Sequence, residues 1–203
     1  VTILAVRLVG DPVLRTAADP VTRFDGALLR LSEDMHQTMD EVNGVGLAGP
    51  QVGAGLRIFT YNVDGQRGTV CNPVVDVSPG EGLEPDGGSE GCLSVPGLGF
   101  PLARSAAVRL TGQDEHGEPL EIEATGLLAR CFQHETDHLD GTLYVDKLAG
   151  EERKRAWKLI RESGFSQHAN KVAAERSGAV GSAFGGAAVT SSFGGTSFGR
   201  NAS

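Results

Sequence analysis

Apolar residues between positions 24 and 43 fall three or four apart, at Leu28, Leu31, Met35, Met39 and Val42. That period puts one apolar stripe on a helix, and Gly44 supplies a stop, so the spacing predicts an amphipathic helix with its stripe in the core. The pattern then changes to strand-like runs at 56–63, 70–77, 106–112 and 120–124. The turn Asp114-Glu115-His116-Gly117 joins the last two as a hairpin, whereas residues 80–89, rich in glycine and acid, read as a loop. A second helix is expected to start with Thr125 as its cap and to run to Leu139, with Asp140-Gly141 ending it. Leu127, Leu128, Cys131, Phe132 and Leu139 make that helix apolar on more than one side, which predicts burial. A third helix, over 149–163, carries Glu151 and Glu152 in its first turn, basic residues after them and Gly164 as a stop, the order a helix dipole favours.

From Ser177 onward the chain is mostly Gly, Ala, Ser, Thr and Phe, with Phe184-Gly185-Gly186, Phe193-Gly194-Gly195 and Phe198-Gly199. Such a stretch lacks the aliphatic content to offset its ordering entropy, so 165–203 is expected to be a disordered tail. The rest is ordinary globular composition, 39% hydrophobic and 22% charged over 203 residues, which suits one domain plus an appendage. Three scattered cysteines, Cys71, Cys92 and Cys131, argue against a disulfide scaffold and for a reducing compartment. No run approaches the roughly 20 apolar residues of a membrane span, and Val1 to Gly10 does not lead from a charged region into an apolar block. A cytoplasmic protein without a membrane segment is therefore expected. The net charge of -8 divides into -12 over 1–148 and +4 over 149–203. An acidic body is a poor general binder of nucleic acid, while the basic end is either a solvated helix face or a contact for a phosphate surface.

His134-Glu135-Thr136-Asp137-His138 is an H-E-x-x-H pattern on the second helix. Residues four apart share a helix face and can point two imidazoles at one metal ion, and the adjacent carboxylate can take a proton from water and pass it to a leaving amine. The alternative is a buried helix with satisfied polar groups. It would need partners for two histidines, a glutamate and an aspartate, at several kcal/mol if any were left unpaired. The third ligand defines the enzyme class. Gly141 is followed by Tyr144 where a metzincin protease would have its third His, and Glu151, Glu152, Glu162 and His168 belong to a charged helix or the segment beyond it. Among the thiols, Cys131 stands seven residues from His138, about 10.5 Å of helix rise, with its side chain tilted away, and reads as core. Cys71 lies in a strand. Cys92, in Glu90-Gly91-Cys92-Leu93-Ser94, follows a glycine that permits close backbone approach. Two imidazoles and a thiolate leave a fourth position open, as in a catalytic site.

Gly44-Val45-Gly46-Leu47-Ala48-Gly49-Pro50-Gln51, Glu90-Gly91-Cys92-Leu93-Ser94 and Gln133-His134-Glu135-Thr136-Asp137-His138-Leu139-Asp140-Gly141 resemble, in order and approximate separation, the three motifs of bacterial peptide deformylases. Gly10-Asp11-Pro12-Val13-Leu14 is also similar, and Gly49 stands where the family usually has alanine. The resemblance implies a catalytic domain over 1–164 with a compact α+β fold, antiparallel sheets around a central metal-carrying helix, plus a C-terminal helix. It implies hydrolytic removal of the formyl group from N-formylmethionine of nascent chains, and Fe(II) as the metal, with Ni, Co or Zn as substitutes. Carried over position by position, it makes Cys92, His134 and His138 the ligands and Glu135 the acid/base. Gln51 and the backbone N–H of Leu93 become donors to the formyl oxygen. Gly44, Val45 and Gly46 become a backbone edge for the peptide, and Leu127 with the stem of Arg130 lines the methionine pocket. Glu90 and Arg104 are expected to pair behind the metal loop, and the basic helix at 149–163 becomes a candidate ribosome contact. The rival reading is a zinc metallopeptidase using the same helix.

Overall fold

A computed structural model describes residues 2–77 and 88–165. The tail expected beyond 165, and the 80–89 loop as far as 87, lie outside the described residues. Helix α1, Gly26–Glu41, begins two residues later than its apolar stripe suggests, because the Asp25 carboxylate accepts the N–H groups of Ala27 at 2.9 Å and Leu28 at 3.3 Å. An aspartate cap satisfies donors the helix cannot, and so sets its start. At the other end Asn43 takes a left-handed φ of 52° and the Gly44 N–H caps the Met39 carbonyl at 2.9 Å. The stop is therefore shared between Asn43 and Gly44. Leu28, Met35 and Met39 are buried against Leu47, Ile58 and Cys71, as the stripe requires.

Strands β1 (Gly46–Ala48), β2 (Ile58–Val63), β3 (Gln66–Asp76), β6 (Ala107–Gln113) and β7 (Pro119–Thr125) form one antiparallel sheet in the order β1-β2-β3-β6-β7. Strand β3 is longer than expected and shifts register between Cys71 and Val74. There Asn72 turns to a φ of 51°, and its amide bonds both the N–H and the carbonyl of Val21, tying the N-terminal segment to the sheet. Helix α2, Gly126–Leu139, lies against β1, β2, β3, β6 and β7. Phe132 packs its ring 5.8 Å from Phe59 and 5.0 Å from Tyr61, so the second helix is buried as predicted. Thr125 does occupy its cap position, but its side chain makes no cap hydrogen bond. The residue is also the last of β7, paired with Ala107, and its backbone is committed to the sheet.

A second layer escaped the pattern. Strands β4 (Ser89–Cys92) and β5 (Val95–Pro101) pair in a small hairpin. Glycines and prolines interrupt the apolar alternation that marks a strand in sequence. Val95, Phe100 and Leu102 pack against Leu143, Tyr144 and Val145 around helix α3 (Tyr144–Lys147), and against Ala156 and Ile160 of helix α4 (Gly150–Glu162). Helix α4 is therefore no free-standing solvated helix. It buries one face on the hairpin and leaves Lys154, Lys158 and Arg161 on the other, while Arg155 lies over the Phe100 ring at 5.9 Å and Arg153 reaches the Asp146 carbonyl at 2.8 Å. Among the described residues, no helix is long and apolar enough to cross a membrane.

Candidate active site

Helix α2 carries His134 and His138 one turn apart, their ring centroids separated by 4.9 Å. Cys92, the last residue of β4, meets them from the hairpin, with Sγ 3.2 Å from His138 Nε2. One ligand atom from each of the three lies within 4.8 Å of the others. Their chemistry suits a borderline-soft divalent metal: two imidazoles and a thiolate converge and the set leaves coordination positions over. Further donors restrain the sulfur, since the Ser94 N–H points at Sγ at 3.4 Å and Gln51 Nε2 at 3.7 Å. Gln51 is only 1% exposed, and its orientation is set locally: the Ala48 N–H donates to Oε1 at 2.8 Å, which turns Nε2 toward Cys92 and Ser94.

Behind His134 stands a chain of charges. His134 Nδ1 lies 2.6 Å from Glu90 Oε1, which holds the ring so that its other nitrogen faces Cys92 and His138. Burial by itself would raise the Glu90 carboxyl, but hydrogen bonds from Arg104 and His134 outweigh it and bring it down to about 2. Arg104 grips Glu90 with two nitrogens, at 2.9 and 2.7 Å, and reaches Asp137 with a third at 2.7 Å. Lys147 closes the chain on Asp137 at 2.6 Å. The expected pairing of Glu90 with Arg104 is present. Arg130, assigned from sequence through its stem, also gives its guanidinium to Glu90 at 2.9 Å and to the Leu102 carbonyl at 3.0 Å. Asp137 and Lys147 carried no signal as members of this chain, although Asp137 stands inside the H-E-x-x-H pattern.

Glu135 is 3% exposed, and burial pushes its carboxyl up to about 7. Its Oε2 has no hydrogen-bond partner among the described residues, and neither has His138 Nδ1. A carboxylate so placed is poised to exchange a proton near neutral pH. Gly46 packs directly on it, in space that a Cβ would occupy.

These groups form one end of a cavity of about 570 Å³. Gln51, Cys92, Leu93, His134 and Glu135 line it together with Gly44, Val45, Gly46, Leu127 and Arg130, so of the metal, catalytic and substrate residues expected from sequence only His138, whose Nε2 meets Cys92 Sγ, does not reach the cavity. Sequence reasoning assigned nothing to Gly97-Leu98-Gly99, yet with Pro96 they form part of the cavity wall. Their only signal was position shortly after the Cys92 motif. Cys131 and Cys71 are buried, as expected of core thiols. Burial drives Cys131 well above its usual value and Cys71 to about 12. Tyr144, which stands where a metzincin histidine would, stacks on His134 at 6.2 Å, and burial pushes its phenol up, so it remains a donor.

An α+β fold whose buried helix presents two imidazoles to a cysteine sulfur, beside a buried carboxyl group and a cleft, has the makings of a metal-dependent hydrolase. The sequence pattern of the polypeptide deformylase family matches residues 3–154. Similar chains include the peptide deformylase of Acidothermus cellulolyticus, 50% identical over 167 residues that cover 82% of this chain and 91% of that one. The crystal structure of the Thermus thermophilus peptide deformylase superposes with a TM-score of 0.75 at 42% identity, covering 82% of this chain and 99% of that one. That of Synechococcus elongatus, solved in complex with actinonin, gives 0.72 at 38% identity over 82% and 88%. The chain belongs to the polypeptide deformylase family, and its activity is removal of the N-terminal formyl group from nascent polypeptides.

Proposed function

We propose that Cys92, His134 and His138 hold the metal ion of this hydrolase, with Fe(II) as the native metal and Ni, Co or Zn able to replace it. The observation that carries the reading is the convergence of the three candidate ligand atoms within 4.8 Å at the end of a cavity, next to a buried carboxyl with one oxygen unpaired among the described residues. When bound, the ion supplies Lewis acidity, lowering the pKa of water and polarising a carbonyl. Glu135 takes the proton from the attacking water and returns it to the departing amine. Gln51 Nε2 and the Leu93 N–H donate to the formyl oxygen as it gains charge. Donors already in place for charge that develops only in the transition state accelerate reaction without merely tightening binding.

The peptide lies along Gly44, Val45 and Gly46 as an added strand, with its methionine side chain against Leu127 and the stem of Arg130. That β1 is an edge strand of its sheet supports this pairing. The protein works in the cytoplasm and meets nascent chains at the ribosome through the exposed basic face of α4, where a phosphate-rich surface attracts Arg153, Lys154 and Arg161 and repels the acidic body. Elemental analysis and formate release test the ligand set together. Cys92→Ser, His134→Ala and His138→Ala each lose metal and activity, whereas Cys71→Ser and Cys131→Ser keep the metal. Stoichiometric metal in Cys92→Ser would refute the assignment. Glu135→Gln keeps the metal while turnover falls by orders of magnitude. A formylated and an unformylated peptide in one assay exclude or establish the zinc peptidase reading.

A further inference from the structure

The wall formed by β5 has an irregular backbone. Register runs Ser89↔Pro101, Glu90↔Phe100 and Gly91↔Gly99, then jumps to Cys92↔Val95. Pro96, Gly97 and Leu98 therefore bulge out with no cross-strand partner in β4, and Gly97 sits at a φ of 74° with nothing within 4 Å of where a Cβ would be. A bulge frees backbone groups from the ladder and would be the most deformable part of the wall unless something else holds it. Helix α3 supplies that hold. Tyr144 is 1% exposed, packs its ring on His134 at 6.2 Å, and donates its O–H to the Leu98 carbonyl at 3.1 Å. Leu98 also packs its side chain into the cluster that contains Tyr144. One side chain thus touches both a candidate metal ligand and the bulge that lines the cavity.

We infer that Tyr144 is a positioning residue for peptide binding: its hydroxyl pins the Leu98 carbonyl, so that the 96–98 bulge presents a pre-shaped backbone edge to a peptide in the cavity it lines with Gly44–Gly46. The inference rests on the proposed reading of the cavity as the peptide site, with the peptide between the two walls. Without the tether the bulge samples other conformations, and a peptide long enough to reach it must first select the right one, which weakens binding in proportion to the population lost. The chemistry at Glu135 is untouched, because the aromatic ring against His134 remains when only the hydroxyl is removed.

Tyr144→Phe is the test, because it deletes one oxygen and keeps the ring. With the metal-loaded full chain, KM for an N-formylmethionyl tripeptide rises about fivefold, the worth of one neutral hydrogen bond, while kcat stays within about twofold. N-formylmethionine amide, too short to reach the bulge, shows a correspondingly smaller change. Amide hydrogen exchange at Gly97, Leu98 and Gly99 quickens by about the same factor. Equal losses on the long and short substrates, a fall in kcat alone, or unchanged exchange at these three amides would each overturn the inference. If the wild-type protein turned over neither substrate, the reading of the cavity would fail instead, and the exchange rates would still decide the tether.

Discussion

The two walls of the cavity are built on different principles. The Gly44–Gly46 wall leads into strand β1, which is buried along its whole length, pairs residue for residue with β2 from Gly46↔Tyr61 to Ala48↔Phe59, and rests on α2, where Gly46 touches Glu135. Backbone ladder and direct steric contact leave it little freedom. The β5 wall belongs to a two-stranded, bulged hairpin and takes its position from outside, from α3 through Tyr144 and from α4 through Ala156 and Ile160. One wall is set by its own sheet and the other by tertiary props. A substitution in the first should therefore act on chemistry, because that wall is in contact with Glu135, the proposed proton carrier. A change in the second should act on stability or binding.

The largest effect tests the props. Cutting the chain after Gly150 removes α4 and uncovers the hairpin's apolar face; since fully burying an aliphatic side chain is worth about 1.5–3 kcal/mol, losing Ile160, Ala156 and the half-buried Trp157 and Leu159 should cost roughly 4 kcal/mol or more. Urea denaturation of full-length and truncated protein measures this, and an unchanged midpoint would mean that the β5 wall stands by itself. Next comes the rigid wall. In Gly46→Ala a new Cβ would collide with Glu135 Oε1 and lie 2.8 Å from Cys131 Sγ. Misplacing the carboxylate should lower kcat by about 100-fold, with metal content unchanged.

Glu90→Gln tests the anchor that the hairpin provides to His134. If His134 is a ligand as proposed, weakening its outer partner should lower metal affinity about 10- to 100-fold, and competition with a chromogenic chelator reads it out. The smallest effect is at Gly97, the counterpart of Gly46. Gly97→Ala meets no neighbour but must hold a left-handed φ of 74°, so it should cost about 1 kcal/mol of stability and leave kcat unchanged. If Gly46→Ala and Gly97→Ala instead had equal effects on kcat, the contrast between the walls would be wrong.

Much of this arrangement is legible in the amino-acid sequence, but unevenly. Helix α1, strands β2, β3, β6 and β7, and helices α2 and α4 follow from periodicity, with errors confined to ends where a cap such as Asp25 or a bulge such as that at Asn72 decides the boundary. His134, Glu135 and His138 are visible as a unit because the helix repeat alone puts residues four apart on one face. The partners of that unit are less accessible. Glu90 with Arg104 is expected, but the continuation through Asp137 to Lys147, and the second arginine at Arg130, joins residues from β4, the segment after β5, α2 and α3. The Tyr144 tether has no signature beyond an aromatic where a metzincin would place its third histidine.

The sequence by itself determined the local elements and the chemistry they carry, because backbone hydrogen bonding fixes a period of a few residues and side-chain type fixes what each position can do. Only the tertiary structure decided how Cys92 reaches His138 across 46 positions, how the glycine-rich β5 becomes a wall, and which face of α4 is core. Those outcomes depend on packing between segments far apart in the chain, where the energy lies in shape and burial that no local period records.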